Sequence, residues 1–469
     1  MEEVGVVRDG IVVFSGGSAA NAISDVFETL GKECGSAVTY LIGVSDNGGS
    51  TSEIIRMIGG PGIGDIRSRL VRLIPEPKNG GRIRTQKAQE NIRDMMSLRL
   101  DQLDQDLAAH EFEQLCAGAH ELWLHVESER KELIRNIFIT MQAEILKRTR
   151  YPSSRFNFCN ASVGNLFLTG ARLFTGSLES AIWLMRKACN IPDEVAEVWP
   201  VISRNFTSHI AAELENGDVI IGQNDISHPS KEDEETKSLL YTEDFYAPED
   251  EREDANWPGS HKRLKGGDIV FDKNNDKQLD SRIERVFYVN PYGHEVRHRA
   301  SQKVVDALDS ARVVVYSIGS FWTSLIPTVL PHPTPGLLSL PSILAKIFLL
   351  NNSLDREVSP HEPTPYRAST FLIQLAKQLH YCLPLTHSQS RDNVDFTPEL
   401  HVKLFVTHVF VMDEVEWHRD EQDCEALRRL GVKRVVIKGV EDGKGGWGYD
   451  LRGLEGALRG IYEEELKIV

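Results

Sequence analysis

Three short polar loops carry the residues that could do chemistry: "SGGS" at 15–18, "SDNGGST" at 45–51 and "GSFWTS" at 319–324. Each stands between an apolar run and a helical pattern, so each offers free backbone N–H groups at a helix start. Glycine there lets a phosphate approach the main chain without meeting a Cβ. Gly16, Gly17, Ser18, Asn47, Gly48, Gly49, Ser50, Gly319, Ser320, Thr323 and Ser324 are therefore the candidate phosphate-binding set. Together they imply a diphosphate or a nucleotide. A carboxylate beside such loops repels phosphate unless it holds a cation or an acceptor hydroxyl, which makes Asp46 the candidate catalytic and metal residue. A further loop, "GGPGIGD" at 59–65, enters the helix "IRSRLVRLI", with Asp65 expected as its N-cap and Arg67 and Arg69 in reach of anionic oxygens.

Other chemistries lack their signatures. No "GxxxxGK[ST]" and no "GxGxxG" occurs, which disfavours ATP hydrolysis by a P-loop and hydride transfer. There is no GxSxG elbow and no cysteine evidently matched to a base. "HEVRH" at 294–298 fits the HExxH pattern of zinc peptidases and sets up a zinc hydrolase as a competing reading. On a helix running through Leu308, however, the apolar stripe is Val296, Ala300, Val304, Ala307 and Leu308. His294 and His298 then fall on the polar side, with no third ligand evident nearby.

The elements that must position these loops alternate. Ile11–Phe14 reads as a buried strand and Ala19–Leu30 as a helix; Val38–Val44 is a second strand delivering its loop to a second helix. Strands are expected again at Val286–Val289, at Val313–Ser317, and within "LAKIFLLNN", "LFVTHVFVMDE" and "GVKRVVIKGV". "SHIAAELENGDVIIGQND" reads as a hairpin turning at Asn216 and Gly217, and "NASVGN" at 160–165 as a polar turn before two helices. Strands alternating with helices imply one parallel sheet covered on both faces, whose strand-to-helix loops share a carboxyl edge. We expect a single α/β domain over 1–469, with a helical insertion at 86–150, an acidic surface insertion at 228–282, and strands and helices at 400–469 completing it.

Hydrophobic residues at 41% and charged ones at 26% suit a globular core. The formal charge of -16 argues against nucleic-acid and anionic-membrane partners. Residues 231–256 contain 11 acidic and 3 basic residues, half of that charge, so an anion site elsewhere is not excluded. The acidic start "MEEVGVVRDG" is no secretory signal, the six cysteines form no CxxC pair, and prolines interrupt the apolar run Thr328–Leu350. A cytoplasmic protein with reduced thiols is expected.

"SDNGGST" followed by "GPGIGDIR", "SVGNLF" at 162–167 and "GSFWTSLIP" at 319–327 resembles the 2-phospho-L-lactate transferase superfamily of deazaflavin-coenzyme biosynthesis, CofD-like, and its gluconeogenesis-factor branch. The family's "DDGGSSG", "PPGDIRN", "HSVGNL" and "GPGSLYTSILPNL" correspond, in that order, to stretches starting at Asp46, Pro61, Ala161 and Ser317. Asn47 replaces the family's second aspartate, Ala161 its histidine, and "SGGSAAN" stands where the family favours "GGGTGL". The resemblance implies a Rossmann-like, doubly wound, mainly parallel sheet in a homodimer, with a nucleotide diphosphate or nucleotide sugar at the carboxyl edge. It adds Ser162 and Asn165 as binding residues and magnesium as the cofactor of the transferase branch. There a hydroxyl acceptor takes a phospho-substituted group from a guanylylated donor; the other branch is a non-catalytic nucleotide-sugar-binding regulator of carbon metabolism.

Overall fold

The computed structural model describes residues 10–16, 19–36, 38–45, 48–76, 83–149, 155–227, 279–358, 365–383, 396–441, 443 and 446–466. Gly17, Ser18, Asp46, Asn47 and most of the acidic segment lie outside these described residues.

The chain begins with β1 (Gly10–Ser15), every residue of which is buried, and the helix α1 (Ser24–Cys34). Next come β2 (Val38–Ile42), α2 (Ser50–Ile58) and α3 (Gly64–Arg72). A helical stretch follows: α4 (Ile83–Ser97), α5 (Gln105–Ala117), α6 (Ser128–Arg148), α7 (Val163–Thr175) and α8 (Leu178–Ala188). Then come β3 (Glu197–Pro200), β4 (His209–Leu214), β5 (Val219–Ile221), β6 (Ile283–Val289), β7 (Ala311–Tyr316) and β8 (Ala345–Leu349). The last strands are β9 (His408–Met412), β10 (Lys433–Ile437), β11 (Gly439–Glu441) and β12 (Trp447–Tyr449).

Seven strands form one sheet in the order β10-β9-β8-β7-β1-β2-β3, and all its pairs are parallel. This is the Rossmann-like α/β architecture expected. Runs such as "IVVF" and "IFLL" stay apolar without alternation because helices cover both faces of the sheet. Strand order runs outward from β1 one way through β2 and β3, and from its other neighbour, β7, the other way. The loops after β1 and β7 therefore leave in opposite directions, and a crevice opens between them at the carboxyl edge.

Three expectations change. The chain does not make one sheet: β4, β5 and β6 form a separate antiparallel sheet, order β5-β4-β6, and β11 pairs with β12. A hairpin partner strand runs antiparallel to its neighbour, and the ladder it starts takes in β6 rather than continuing the parallel one. Asp65 is not an N-cap, since α3 starts at Gly64 with Ile63 at the cap and no side-chain capping bond. Its carboxylate sits inside the first turn, where it still meets the positive helix end. HEVRH is not helical: the helix starts at Gln302, after Ser301 caps it, and 294–298 is extended, with Val296 N donating to Tyr288 O at 2.8 Å.

The helices at 83–148 share the sheet's hydrophobic core. Phe112, Phe138 and Phe167 stack edge-on or pack within one continuous cluster with β1 and β2. Gly170 of α7 lies so close to α6 that a Cβ there would come 2.5 Å from Ile137 O.

Candidate functional site

The lips of the crevice are β1's loop and the turn after β7. Ser317 N donates to Phe14 O at 3.0 Å, which sets the two strand ends level. Gly16 is required by closeness: a Cβ there would fall 2.4 Å from Ser324 Cβ and 2.9 Å from its carbonyl oxygen. Gly319, at φ +145, would place a Cβ 2.8 Å from Gly16 O. Two of the three glycine loops thus touch, Gly16 against Ser324 and Gly319 against Gly16.

The second loop joins them through α3. Gly49 caps α2 with φ +54, and Ser50 begins that helix. Ser50 Oγ accepts from Ser162 N at 3.3 Å and from Asn165 Nδ2 at 3.1 Å, and Arg67 Nε donates to Asn165 Oδ1 at 3.2 Å. Gly164 makes room for Arg67, whose Cγ and Cδ would lie 2.9 Å from a Cβ at that position. Ser162 caps α7 through Asn165 N, and both residues are almost wholly buried. Here Ser162 and Asn165 tie the second loop, α3 and α7 together beneath the rim. On the next two residues of α3, Asn21 Nδ2 donates to Ser68 Oγ at 2.8 Å, and Arg69 Nη2 to Ser15 Oγ at 3.1 Å.

Arg69 is the unusual member. Only 2% of it is exposed, and its guanidinium lies 4.3 Å over the ring of Tyr40 on β2. Its Nε and Nη1 have no hydrogen-bond partner, nor has Asn21 Oδ1. Burial lowers its pKa, while Tyr40, Glu28 and Asp65 pull it back up. Glu28 is half-buried, and that burial, then the charge of Asp25, pushes it up to about 7 against the pull of Arg69 and Arg72. A buried cation with orphaned donors directly below the first loop raises the potential of that loop for anions.

The third loop has an occupant that the sequence did not disclose. Glu357, 1% exposed on a short 3-10 turn at Arg356–Val358, accepts from Ser320 Oγ and Trp322 N, both at 2.6 Å, and from Thr323 Oγ1 at 2.8 Å. The hydroxyls of Ser320 and Thr323, read from sequence as phosphate ligands, are thus turned onto a carboxylate. Ser324 remains half-buried on the lip facing Gly16. Asn351 locks the turn from the other side, its Oδ1 accepting from Gly319 N at 3.0 Å and its Nδ2 donating to Gly319 O at 2.7 Å. Burial, then Glu357's charge, pushes Asp355 up to about 7, opposed by the Phe321 N–H and Asn351. Glu357 is raised by burial in turn, against the hydroxyls and amides it accepts from. "SLDREVSP" reads as a solvated loop, and no local signal could have placed Glu357 in the core.

Magnesium fits this rim only as an ion carried by phosphates. Among the described residues no three His, Cys, Asp or Glu side chains group to hold a metal, and Asp355 and Glu357 are already bonded. One carboxylate plus diphosphate oxygens is a usual magnesium donor set, and Asp46, the carboxylate the sequence offers for it, lies outside the described residues. The zinc reading loses its geometry, since His294 is exposed, His298 is buried, and Glu295 is paired with Arg285 at 3.0 Å. Among the described residues no helix is long and apolar enough to cross a membrane.

Comparison with known proteins agrees with this architecture. The chain is 37% identical over 366 residues to the uncharacterized protein YNL011C of Saccharomyces cerevisiae, across 74% of this chain and 79% of that one. It resembles protein BH3568 of Bacillus halodurans in fold, with a TM-score of 0.53 at 17% identity, covering 96% of this chain and 99% of that one. A second crystal structure of BH3568, described as a member of the UPF0052 family, gives 0.53 at 16%, over 96% and 98%. The profile of 2-phospho-L-lactate transferase CofD matches residues 11–352, a span that contains both lips of the crevice and Asn165, and the chain belongs to that family.

Proposed function

We propose that the crevice between β1 and β7 binds a nucleoside diphosphate donor and that the chain is a transferase of the 2-phospho-L-lactate type. The reaction read here moves a phospho-substituted group from a guanylylated donor to a hydroxyl acceptor. The acceptor oxygen forms a bond to the substituted phosphorus, the bond from that phosphorus to the GMP oxygen breaks, and the hydroxyl proton leaves towards Asp46. Such chemistry asks for charge neutralisation and positioning more than for a nucleophilic side chain. The single observation that carries the reading is Arg69, a buried cation with two orphaned nitrogens beneath the first glycine loop.

In this reading Gly16, Gly17, Ser18, Gly48, Gly49 and Gly319 admit the phosphates to the main chain, and Ser324 contributes a hydroxyl. Asp46 orients the acceptor or holds magnesium, which supplies charge neutralisation on the diphosphate when bound. Arg67, Ser162 and Asn165 hold the second loop in place. The chain works as a homodimer, which sedimentation at two chain masses checks. A second reading, a non-catalytic nucleotide-sugar-binding regulator, is favoured by Asn47 and Ala161, which stand where the family has aspartate and histidine.

Thermal denaturation with GDP, UDP-sugars and their magnesium complexes separates the two. Stabilisation by GDP and not by UDP-sugars is expected for the transferase, and the reverse pattern sinks it in favour of the regulator. Asp46→Asn is expected to abolish transfer while leaving GDP affinity largely intact; undiminished turnover removes Asp46 from the chemistry.

A further inference from the structure

The segment that spells HEVRH lines a second cavity, remote from the crevice in the chain's layout. It has a volume of about 310 Å³, enclosed by the end of β6, residues 295–299, Leu330–His332 and Tyr381–Leu383. That is the lower end of the range of small-molecule sites. Leu330–His332 follow the helical run that starts at Phe321, so the cavity lies at the far end of the run from Gly319. The walls are aromatic and aliphatic: Phe287, Tyr288, Tyr381, Leu330 and Pro331 among them.

Two polar features face this apolar lining. His298 is 9% exposed, and neither of its ring nitrogens has a hydrogen-bond partner. Burial, then the charge of Arg204, lowers its pKa to about 4, so the neutral ring has one donor and one acceptor to offer. Its ring stands edge-on to Tyr288 at 4.9 Å. The second feature is cationic. Arg285 is satisfied by Glu213 at 2.5 Å and Glu295 at 3.0 Å, but Arg297 and Arg299 have no carboxylate partner among the described residues. Arg297 lies 5.9 Å from the Tyr381 ring. An orphaned imidazole at the wall, a guanidinium beside a flat ring and a second one on the same lining, neither with a carboxylate partner among the described residues, describe a ligand with an anionic head and a planar apolar body.

We propose that this cavity is a binding site for a compact aromatic anion, a ring of one or two cycles carrying a carboxylate or a phosphate monoester, held by Arg297 and Arg299 with His298 bonding its polar edge.

Calorimetric titration of the full chain with indole-3-carboxylate, phenyl phosphate and the uncharged indole-3-carboxamide tests it. One or both anions are expected to bind, at least tenfold tighter than the carboxamide, and the tighter anion identifies the headgroup. The Arg297→Ala/Arg299→Ala double variant, melting at the wild-type temperature, is expected to lose at least tenfold in that affinity. Both arginines are exposed, and each single variant is read beside the double. Absence of binding by both anions, equal affinity for the carboxamide, or unchanged affinity in the double variant overturns the proposal. So does mutual exclusion with GDP, which would place the anion in the crevice. GDP binding measured alone reports on the crevice, so the two readings fail separately.

Discussion

At the scale of single residues, the rim is governed by two buried charges of opposite sign. Arg69 sits below the first loop without full hydrogen bonding, an arrangement that costs stability unless an anion repays it. Arg69→Met keeps length and packing and removes the charge. It is expected to leave the protein as stable as the wild type or more so by thermal denaturation, and to weaken GDP binding at least tenfold by calorimetry. Unchanged GDP affinity would detach Arg69 from the ligand. Glu357 acts the other way, gathering Ser320, Trp322 and Thr323 around itself. Glu357→Ala orphans these donors at about 1–3 kcal/mol for each buried group left unsatisfied, and should lower the melting temperature markedly. Glu357→Gln retains acceptors and should cost far less. The Asp355–Glu357 pair also makes stability depend on pH. Both pKa values are raised above their unfolded values near 4, that of Asp355 to about 7, so the folded state holds more protons than the unfolded one through the window that Asp355 spans. The pair's contribution is complete below pH ~4 and is lost as pH rises through that window. Glu357→Gln is expected to flatten this slope in melts between those limits, and an identical slope would remove the pair as its source.

At the scale of elements, the glycines of the rim differ in why they are glycine. Gly49 needs a left-handed φ in open space, whereas Gly16 needs the absence of a Cβ against Ser324. Gly16→Ala is expected to cost about 1–3 kcal/mol by overpacking and to weaken GDP binding by parting the lips. Gly49→Ala should cost about 1–3 kcal/mol of backbone strain and, because Gly49 is read as admitting phosphate, weaken GDP binding as well. Wild-type GDP affinity in Gly16→Ala, measured by calorimetry, would show that the lips stay together. What was legible in sequence follows the same division. The apolar runs of β1, β2, β7, β8 and β9 and the polar loops after them were readable because burial on both faces and free helix ends leave local marks. The strand β3, "EVWP", was not; four residues ending in proline read as loop, and only its place on the sheet edge makes the proline tolerable. Nor was the start of the helix after HEVRH, because an apolar stripe carries no information on where a strand-like pairing will pre-empt it. Asn165 was readable as a polar residue at a helix start but not as a tie between Ser50 and Arg67, which come from elements about a hundred residues away.

At the scale of the whole molecule, strand order decides how the site is shared along the chain. One lip and its cation come from residues before 227, the other lip and its acidic pair from residues after 279. The two parts are joined through the parallel β1–β7 ladder and the antiparallel β4–β6 ladder. A single cut between 228 and 278 would leave two polypeptides that each own half of a binding pocket and the exposed flank of both ladders. Co-expressed as 1–227 and 279–469, they are expected to co-purify and recover GDP binding that neither shows alone. The protein would then serve as a split reporter, with nucleotide occupancy reading out reunion of its halves.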